Sequence, residues 1–253
     1  MNIHDASAIV TGAGGGIGRH FALRLAGAGA GVAAVDIDLH GLESLQAEAK
    51  GLPGRVMISR LDVSQEKAVA AFVTEVFQQF GQINTLVNNA CVLRDGVLVS
   101  GESGLIRKLP TPQWKQVIDV NLTGPFLLTR ETAGEMLKRG IKPAVVVNIS
   151  SVSRSGNPGQ SNYAASKAGL DACTRTWALE LAEYGIRVGG IAPGLVDTPL
   201  LKHVSETAKK DLIAAIPLRR IGVPEDIWLA LKFIIECEYF TGRVIEVDGG
   251  SSF

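Results

Sequence analysis

The sequence is poor in several kinds of residue that would point to other classes of protein. Aromatic residues make up 6% of the 253 residues, and there are only three cysteines. An odd number of cysteines without Cys-x-x-Cys spacing indicates neither a disulfide framework nor a zinc site. Lys and Arg together number 25, as do Asp and Glu, so the formal charge is zero. Nucleic acids and anionic membrane surfaces usually attract a basic protein, so neither is expected as a partner.

Long apolar runs are also missing. No run reaches the roughly 18 residues that cross a bilayer, and no charged segment followed by a short apolar run opens the sequence. We therefore expect a soluble, cytoplasmic protein. A length of 253 residues suits one domain with a sizeable core, and no linker, repeat or low-complexity segment divides the chain. Residues 1–253 are predicted to form a single domain.

Short apolar runs alternate with helical patterns along the whole chain. The predicted strands are residues 6–10, 31–36, 56–60, 85–88, 144–149, 187–191 and 243–247. The predicted helices are residues 17–28, 40–50, 65–80, 111–139, 161–184 and 224–237. Such alternation requires right-handed crossovers between parallel strands, with helices on both faces of the sheet. The predicted fold is α/β, with one Rossmann-type, doubly wound sheet of seven mostly parallel strands.

Glycine, by contrast, is abundant, with 29 residues, and one cluster of it follows the first predicted strand. Residues 11–18 read Thr-Gly-Ala-Gly-Gly-Gly-Ile-Gly and lead into a helical pattern. Glycine lets the backbone approach a pyrophosphate, and the first turn of a helix offers free N–H groups to it. The second predicted strand ends in Asp36, where a carboxylate can accept hydrogen bonds from an adenosine ribose. Together these features predict a dinucleotide site.

Tyr163 and Lys167 lie four residues apart in a predicted helix, which makes them neighbours on one helical face. A free phenol has a pKa of about 10, and lowering it to about 7 requires roughly 4 kcal/mol in favour of the phenolate. A cation about 4 Å away, at an effective dielectric constant of about 20, supplies about that much. We therefore predict that Lys167 makes Tyr163 a base near neutral pH. Taken alone, the spacing is also common on solvated helix faces.

In their order along the chain, the motifs resemble those of the short-chain dehydrogenase/reductase family from end to end. They are the glycine segment 11–18, Asn88-Asn89-Ala90-Cys91, Asn121, Asn148-Ile149-Ser150-Ser151, Tyr163 with Lys167, Pro193-Gly194 with Thr198, and Val247-Asp248-Gly249-Gly250. Each motif is modest, but their combination in this order is specific. The resemblance implies an oxidoreductase that interconverts a secondary alcohol and a ketone.

The resemblance also implies four catalytic residues: Asn121, Ser151, Tyr163 and Lys167. Asn121 would bend its helix and hold a water that relays protons to the lysine. A serine after the fifth strand would donate a hydrogen bond to the substrate oxygen. The family's usual interval back from Tyr163 gives Ser150, whereas the strand register gives Ser151. Because strand registers are harder to shift than loop lengths, we predict Ser151.

The cofactor contacts implied by the resemblance come from both halves of the chain. Besides Tyr163 and Lys167 they are Gly12, Gly14, Gly16, Ile17, Gly18, Asp36, Ile37, Asp62, Val63, Asn89, Pro193, Gly194, Val196 and Thr198. NADPH-using relatives carry a basic residue in the glycine loop or just after the second strand, where this chain has Gly15 and Ile37. Asp36 would pair with the ribose hydroxyls and repel a 2′-phosphate. The predicted cofactor is NAD, and no metal is predicted.

The pattern is most similar to that of 3-oxoacyl-carrier-protein reductases and 3-hydroxyacyl dehydrogenases, notably over residues 157–163. We expect a small ketone, alcohol or acyl thioester substrate, of the 3-hydroxyacyl/3-oxoacyl type. Two alternatives stay open: a carrier-protein reductase of fatty acid synthesis and a catalytically weak nucleotide-binding regulator. One carrier-docking arginine of the former would fall at Leu179, which cannot serve, while Arg139 and Lys142 remain available. A serine hydrolase is excluded because no Gly-x-Ser-x-Gly elbow is present.

Two departures from the family and one feature of a predicted helix carry further expectations. Cys91 replaces a family glycine near the nicotinamide, and we interpret it as a small apolar filler. Residues 94–108 form a longer segment than many relatives have, which predicts a hairpin or flap beside the mouth of the active site. The helix after Tyr163 is apolar on more than one face, which predicts a homotetramer in which Phe253 adds a second contact. The residues of that helix concerned are Leu170, Cys173, Trp177 and Leu181, with Ala168, Ala172 and Ala182 allowing close approach.

Overall fold

The computed structural model describes residues 1–102, 105–199 and 206–251. The central sheet consists of β1 (Ser7–Thr11), β2 (Gly31–Asp36), β3 (Val56–Arg60), β4 (Thr85–Asn88), β7 (Ala144–Ile149), β8 (Ile186–Pro193) and β9 (Val244–Val247). A separate antiparallel hairpin consists of β5 (Val99–Glu102) and β6 (Leu105–Lys108). The predicted hairpin over residues 94–108 is therefore present, whereas Phe253 lies outside the described residues.

The helices are α1 (Gly16–Gly27), α2 (Leu39–Glu48), α3 (Glu66–Phe80), α4 (Thr111–Ile118), α5 (Gly124–Arg139), α6 (Ser161–Leu181), α7 (Glu206–Ala215) and α8 (Pro224–Glu236). A π-helical turn, Asp119–Thr123, joins α4 to α5. None of the helices in the described part of the chain is long and apolar enough to cross a membrane.

The strands of the central sheet lie in the order β3-β2-β1-β4-β7-β8-β9, and every adjacent pair is parallel. This confirms the predicted doubly wound sheet. The chain moves outward from β1 to β3 and then returns to place β4 on the other side of β1. At such a switch point the two connections leave the sheet in opposite directions, and a crevice opens beyond the carboxyl ends of the strands.

The core is divided into two apolar layers, one on each face of the sheet. In one layer α1 and α8 contribute the buried side chains of Phe21 and Trp228. In the other, α3 and α5 contribute those of Phe77 and Met136. Strand β7 serves both layers, because the side chains of residues 145–147 are all fully buried and alternate between them. Burial on both faces is why this strand reads as a continuous apolar run.

The structure divides the helix that was predicted over residues 111–139. The division occurs at the π-helical turn, where the side chain of Asn121 hydrogen-bonds to the backbone of Val92 in the segment after β4. A π-turn adds a residue to the helical repeat and re-aims the chain, as is common at functional sites. Helix α7 was not predicted, because the sequence pattern over residues 196–218 left the shape of that segment open.

Candidate active site

The glycine segment after β1 places bare backbone against the crevice. A Cβ atom on Gly12, whose φ angle is +67°, would lie 2.8 Å from the Cα atom of Ala90. On Gly18 it would lie 2.2 Å from the carbonyl oxygen of Gly12. On Gly15 it would meet nothing within 4 Å. The loop therefore packs tightly on its inner side and is open on the side where α1 begins, which fits the binding of a pyrophosphate.

Asp36, the last residue of β2, is hydrogen-bonded to the glycine segment. Its Oδ2 atom accepts a hydrogen bond of 2.9 Å from the backbone N–H of Gly14. Its Oδ1 atom accepts one of 2.9 Å from the backbone N–H of Asp38. A Cβ atom on Gly14 would lie 3.0 Å from this carboxyl group. Gly14 therefore allows the carboxylate to approach the loop, where its free lone pairs face the crevice.

A cluster of hydrogen bonds joins the carboxyl ends of β1 and β4. The hydroxyl oxygen of Thr11 accepts hydrogen bonds of 2.9 and 3.0 Å from the backbone N–H groups of Asn89 and Ala90. The side-chain amide of Asn89 donates in return to the carbonyl oxygens of Thr11 and Gly12, at 2.9 and 3.3 Å. The two sides of the switch point are thus fixed relative to each other.

Lys167 is buried beneath the crevice. Its ammonium group donates a hydrogen bond of 2.7 Å to the carbonyl oxygen of Ile149, at the end of β7. The nitrogen lies 5.5 Å from the centroid of the Tyr163 ring. Burial lowers the pKa of Lys167, because a charged ammonium is poorly solvated there, and the electrostatic influence of the Cys91 and Asp171 side chains opposes that effect.

The environment of Tyr163 differs from the one predicted. Burial raises the pKa of Tyr163 above its ordinary value; the electrostatic influence of the Cys91 side chain adds to the effect, and the nearby hydroxyl group of Ser151 opposes it. The direction of this shift runs against the prediction that Lys167 makes Tyr163 a base near neutral pH. Its ammonium group is bound to Ile149 and lies farther from the ring than the ~4 Å assumed for a close pair, so burial outweighs its attraction for a phenolate.

The two candidate serines make different contacts. The hydroxyl group of Ser151 lies close enough to the phenol to act against the rise in the pKa of Tyr163, and it accepts a hydrogen bond of 3.1 Å from the backbone N–H of Ser153. The hydroxyl group of Ser150 is directed to α6, where it lies 3.5 Å from the carbonyl oxygen of Lys167 and close enough to Asp171 to oppose the rise in pKa that burial causes in that carboxyl group. Of the two serines, Ser151 is the one that affects the pKa of the phenol.

Asn121 is fully buried and lies behind the crevice. Its Oδ1 atom accepts a hydrogen bond of 2.8 Å from the backbone N–H of Val92, and its Nδ2 atom donates one of 3.0 Å to the carbonyl oxygen of the same residue. Nδ2 also lies 3.5 Å from the hydroxyl oxygen of Ser166, which precedes Lys167. Asn121 therefore connects the π-helical turn, the segment after β4 and helix α6.

Two adjoining cavities occupy the crevice. The first, of about 440 Å³, is lined by these predicted site residues: Gly12, Gly16, Ile17, Asp36, Asn89, Ser151, Tyr163, Lys167, Pro193, Gly194, Val196 and Thr198. The second, of about 600 Å³, is lined by Gly12, Asp36, Ile37, Asp62 and Val63. Cys91 lines both cavities and is exposed. Of the predicted site residues, only Gly14, Gly18 and Asn121 line neither cavity.

Sequence reasoning missed several residues around these cavities. Leu93 and Gln160 line the first, and no motif marked them as contacts. Arg60 is the register partner of Asp36 in β3, and its Nε atom donates a hydrogen bond of 3.1 Å to the carbonyl oxygen of Ile37. A cation therefore lies close to the carboxylate that was expected to choose the cofactor. Strand pairing, which sequence position alone does not reveal, brings them together.

Comparison with known proteins agrees with this geometry. A family model described as short chain dehydrogenase matches residues 6–209. The chain is 41% identical to the 3-oxoacyl-acyl-carrier-protein reductase FabG of Thermotoga maritima, over 99% of each chain. It is 36% identical to BbsD, a subunit of a hydroxy(phenyl)methylsuccinyl-CoA dehydrogenase of Thauera aromatica, over 100% of this chain and 98% of that one.

The structure of levodione reductase superposes with a TM-score of 0.86 and 33% sequence identity, covering 97% of each chain. Both the sequence relatives and this structural neighbour are therefore similar over nearly the whole length. The chain belongs to the short chain dehydrogenase family and is an oxidoreductase that acts on hydroxyl or keto carbon atoms with a nicotinamide cofactor.

Proposed function

We propose that the protein is an NAD(H)-dependent oxidoreductase that interconverts 3-oxoacyl and 3-hydroxyacyl thioesters. The observation that carries the proposal is the convergence of Ser151, Tyr163 and Lys167 on one cavity that adjoins the carboxylate of Asp36. The names of the two sequence relatives, an acyl-carrier-protein reductase and a succinyl-CoA dehydrogenase, both describe acyl thioesters. This common feature supports the substrate class.

A bound nicotinamide would supply or accept the hydride, and the chain would manage the proton. Ser151 and Tyr163 line the same cavity and interact with each other, so both hydroxyl groups can be directed at one substrate oxygen. Burial keeps the phenol protonated, which suits it to donate a proton as negative charge develops on a ketone oxygen. In the oxidising direction the same phenol would take the proton back. Lys167 supplies the positive charge beneath it, and we propose that Asn121 holds a relay water behind it.

The choice of NAD rests on the surroundings of Asp36. Two backbone N–H groups hold the carboxylate at the junction of the two cavities. There it would accept hydrogen bonds from ribose hydroxyls and repel a 2′-phosphate. No basic residue occupies the glycine segment before Arg19, and the exposed position after β2 is Ile37. Arg60, a neighbouring cation, acts in the other direction.

We also propose one domain and a homotetramer, as expected from the sequence. On α6, Leu170 is buried, and Trp177 and Leu181 pack against the core. Ala168, Ala172 and Ala182 are left exposed. Small exposed side chains allow the close approach of a symmetry mate. Light scattering behind a sizing column tests this, since a species of 26.7 kDa at micromolar concentration would rule out assembly.

The proposed function is tested by following NADH oxidation at about 340 nm with acetoacetyl-CoA and with a panel of simple ketones. Turnover of the thioester, with a preference for NADH over NADPH, is the expected result. NADH binding without turnover of any ketone would instead favour the nucleotide-binding regulator. Turnover of simple ketones alone would remove the thioester from the proposal and leave the reaction class in place.

Replacing Ser151 by alanine should lower kcat by about 100-fold, on the scale of losing one preorganised hydrogen-bond donor. Ser150→Ala is the matched control, because its hydroxyl group is directed to α6 and not to the phenol. It should change kcat far less. The opposite order of effects would show that Ser150 is the residue that contacts substrate.

The raised pKa of Tyr163 leads to a spectroscopic prediction. A group whose pKa is raised stays protonated over the neutral and mildly alkaline range, so the free enzyme should form no phenolate from this residue below about pH 10. The difference in ultraviolet absorbance between wild type and Tyr163→Phe during a titration measures this directly. A midpoint near pH 7 without cofactor would show that Lys167 alone activates the phenol.

A further inference from the structure

The base of the β5–β6 hairpin is fixed to the loop that precedes the catalytic tyrosine. The backbone N–H of Gly96 donates a hydrogen bond of 2.7 Å to the carbonyl oxygen of Gly159. The side-chain amide of Gln160 donates one of 3.1 Å to the carboxylate of Asp95. Gln160 also lines the first cavity. The hairpin therefore begins at the mouth of the active site.

Asn162 continues this connection into the helix that carries Tyr163. It is fully buried, and its side-chain nitrogen donates a hydrogen bond of 2.9 Å to the carbonyl oxygen of Arg94. Its side-chain oxygen accepts one of 2.8 Å from the backbone N–H of Tyr163. A single side chain thus links the start of the hairpin segment to the residue that handles the proton.

Two cations lie in the half of the hairpin nearest this base. Val99 pairs with Lys108, and Ser100 pairs with Arg107, whereas Glu102 pairs with Leu105 toward the tip. Arg107 and Lys108 are exposed, and neither forms an ion pair or a side-chain hydrogen bond with another described residue. By contrast, Arg94 bonds to Gln116 and to the backbone. The cations at the base of the hairpin are therefore available to an anion.

The hairpin also exposes an unusual amount of aliphatic surface. More than half of each of the following side chains is exposed: Val97, Leu98, Val99, Leu105 and Ile106. A two-stranded hairpin is only marginally stable in water on its own, and contiguous exposed apolar surface commonly marks a binding site. Aliphatic side chains and free cations on one element suit a ligand with both an apolar chain and a negative charge.

We propose that residues 97–102 and 105–108, the hairpin arm, bind the phosphate-bearing carrier portion of a small thioester substrate of the coenzyme A type. Arg107 and Lys108 contact its phosphates, and the aliphatic side chains contact the chain that leads to the thioester. The inference rests on the proposed function and extends it to the part of the substrate that does not react.

Two other occupants fit the surface less well. A symmetric contact with a second copy of this chain would bring the arm's own cations toward each other unless an acidic surface met them. An acidic carrier protein would dock more broadly, yet the family's docking position is Leu179, which is 73% exposed. Of the two other candidates for that contact, Arg139 is paired with Glu135 at 3.0 Å, which leaves Lys142 as a single exposed cation there.

The test compares acetoacetyl-CoA with S-acetoacetyl-N-acetylcysteamine, which carries the same acyl thioester without phosphates. In the double variant Arg107→Gln/Lys108→Gln, the ratio of kcat/KM for the first substrate to that for the second should fall about fivefold to tenfold, the scale of two exposed charge pairs. Lys67→Gln, an exposed lysine on α3, is the control and should leave the ratio unchanged. An unchanged ratio in the double variant would overturn the inference.

A second variant examines the aliphatic surface. Leu105→Ser/Ile106→Ser should lower the same ratio without changing the mass measured by light scattering. A change of oligomeric mass would overturn the inference in favour of an interface between copies. A loss confined to an acyl-carrier-protein thioester would overturn it in favour of a protein docking surface. If the wild type reduces neither thioester, the proposed function itself fails; if it reduces both and the ratio does not move, only the arm's role fails.

Discussion

Tyr163→Phe is expected to reduce turnover by at least about 100-fold, since general acid–base groups contribute at least that much. The change removes one hydroxyl group and keeps the buried ring beside Lys167. NADH affinity should therefore stay close to that of the wild type. Steady-state kcat gives the first quantity, and the fluorescence of bound NADH gives the second.

Tyr239→Phe is the control for this variant, because Tyr239 is fully exposed on the surface and lines neither cavity. It should leave both quantities unchanged. Normal turnover in Tyr163→Phe would refute the assigned mechanism. A loss of NADH affinity as large as the loss of turnover would instead assign the hydroxyl group to cofactor binding.

Asp36 variants should change cofactor preference by several hundred-fold. At an effective dielectric constant of about 20, a second negative charge about 4 Å from the carboxylate costs roughly 4 kcal/mol, which is the basis of the expected preference for NADH. Asp36→Ala removes the charge but also the acceptor for the N–H of Gly14. Asp36→Asn keeps an acceptor oxygen there, so it isolates the effect of charge on kcat/KM for NADPH relative to NADH.

Arg60 allows a sharper version of this experiment. Once the carboxylate is neutral, Arg60 should attract a 2′-phosphate from the neighbouring strand. The gain in NADPH use should therefore be smaller in Asp36→Asn/Arg60→Gln than in Asp36→Asn alone. A wild-type enzyme that already favours NADPH would show that Arg60 outweighs Asp36 and that the choice of NAD is wrong.

Much of the fold could be predicted from the sequence, because the patterns that indicate its strands and turns are local. The strand over residues 144–149 reads as an apolar run since both faces are covered. The glycine at position 12 was recognisable because no other residue fits a positive φ angle so close to Ala90. Such requirements act on single residues or on short periodic patterns, and a sequence displays them directly.

The parts that could not be predicted depend on contacts between distant segments. The environment of Tyr163 is set by burial and by where Lys167 finds a carbonyl oxygen, and neither is visible in a four-residue spacing. The pairing of Arg60 with Asp36 depends on strand register. The interruption of the helix at Asn121 depends on a hydrogen bond to Val92. In each case tertiary structure overrode a local expectation.

The position of the hairpin between β4 and α4 bears on how substrate range can evolve. The segment that contains the hairpin begins after β4, which is held in the sheet, and the backbone of Gly96 is hydrogen-bonded to Gly159. Neither layer of the core therefore depends on the length of the hairpin. Lengthening a connection of this kind adds little to the entropy of closing it, about 0.6 kcal/mol for each doubling. A single insertion or deletion here can therefore change the substrate specificity while the catalytic residues keep their positions. Grafting this segment onto a relative with a shorter connection should therefore transfer the preference for its substrate.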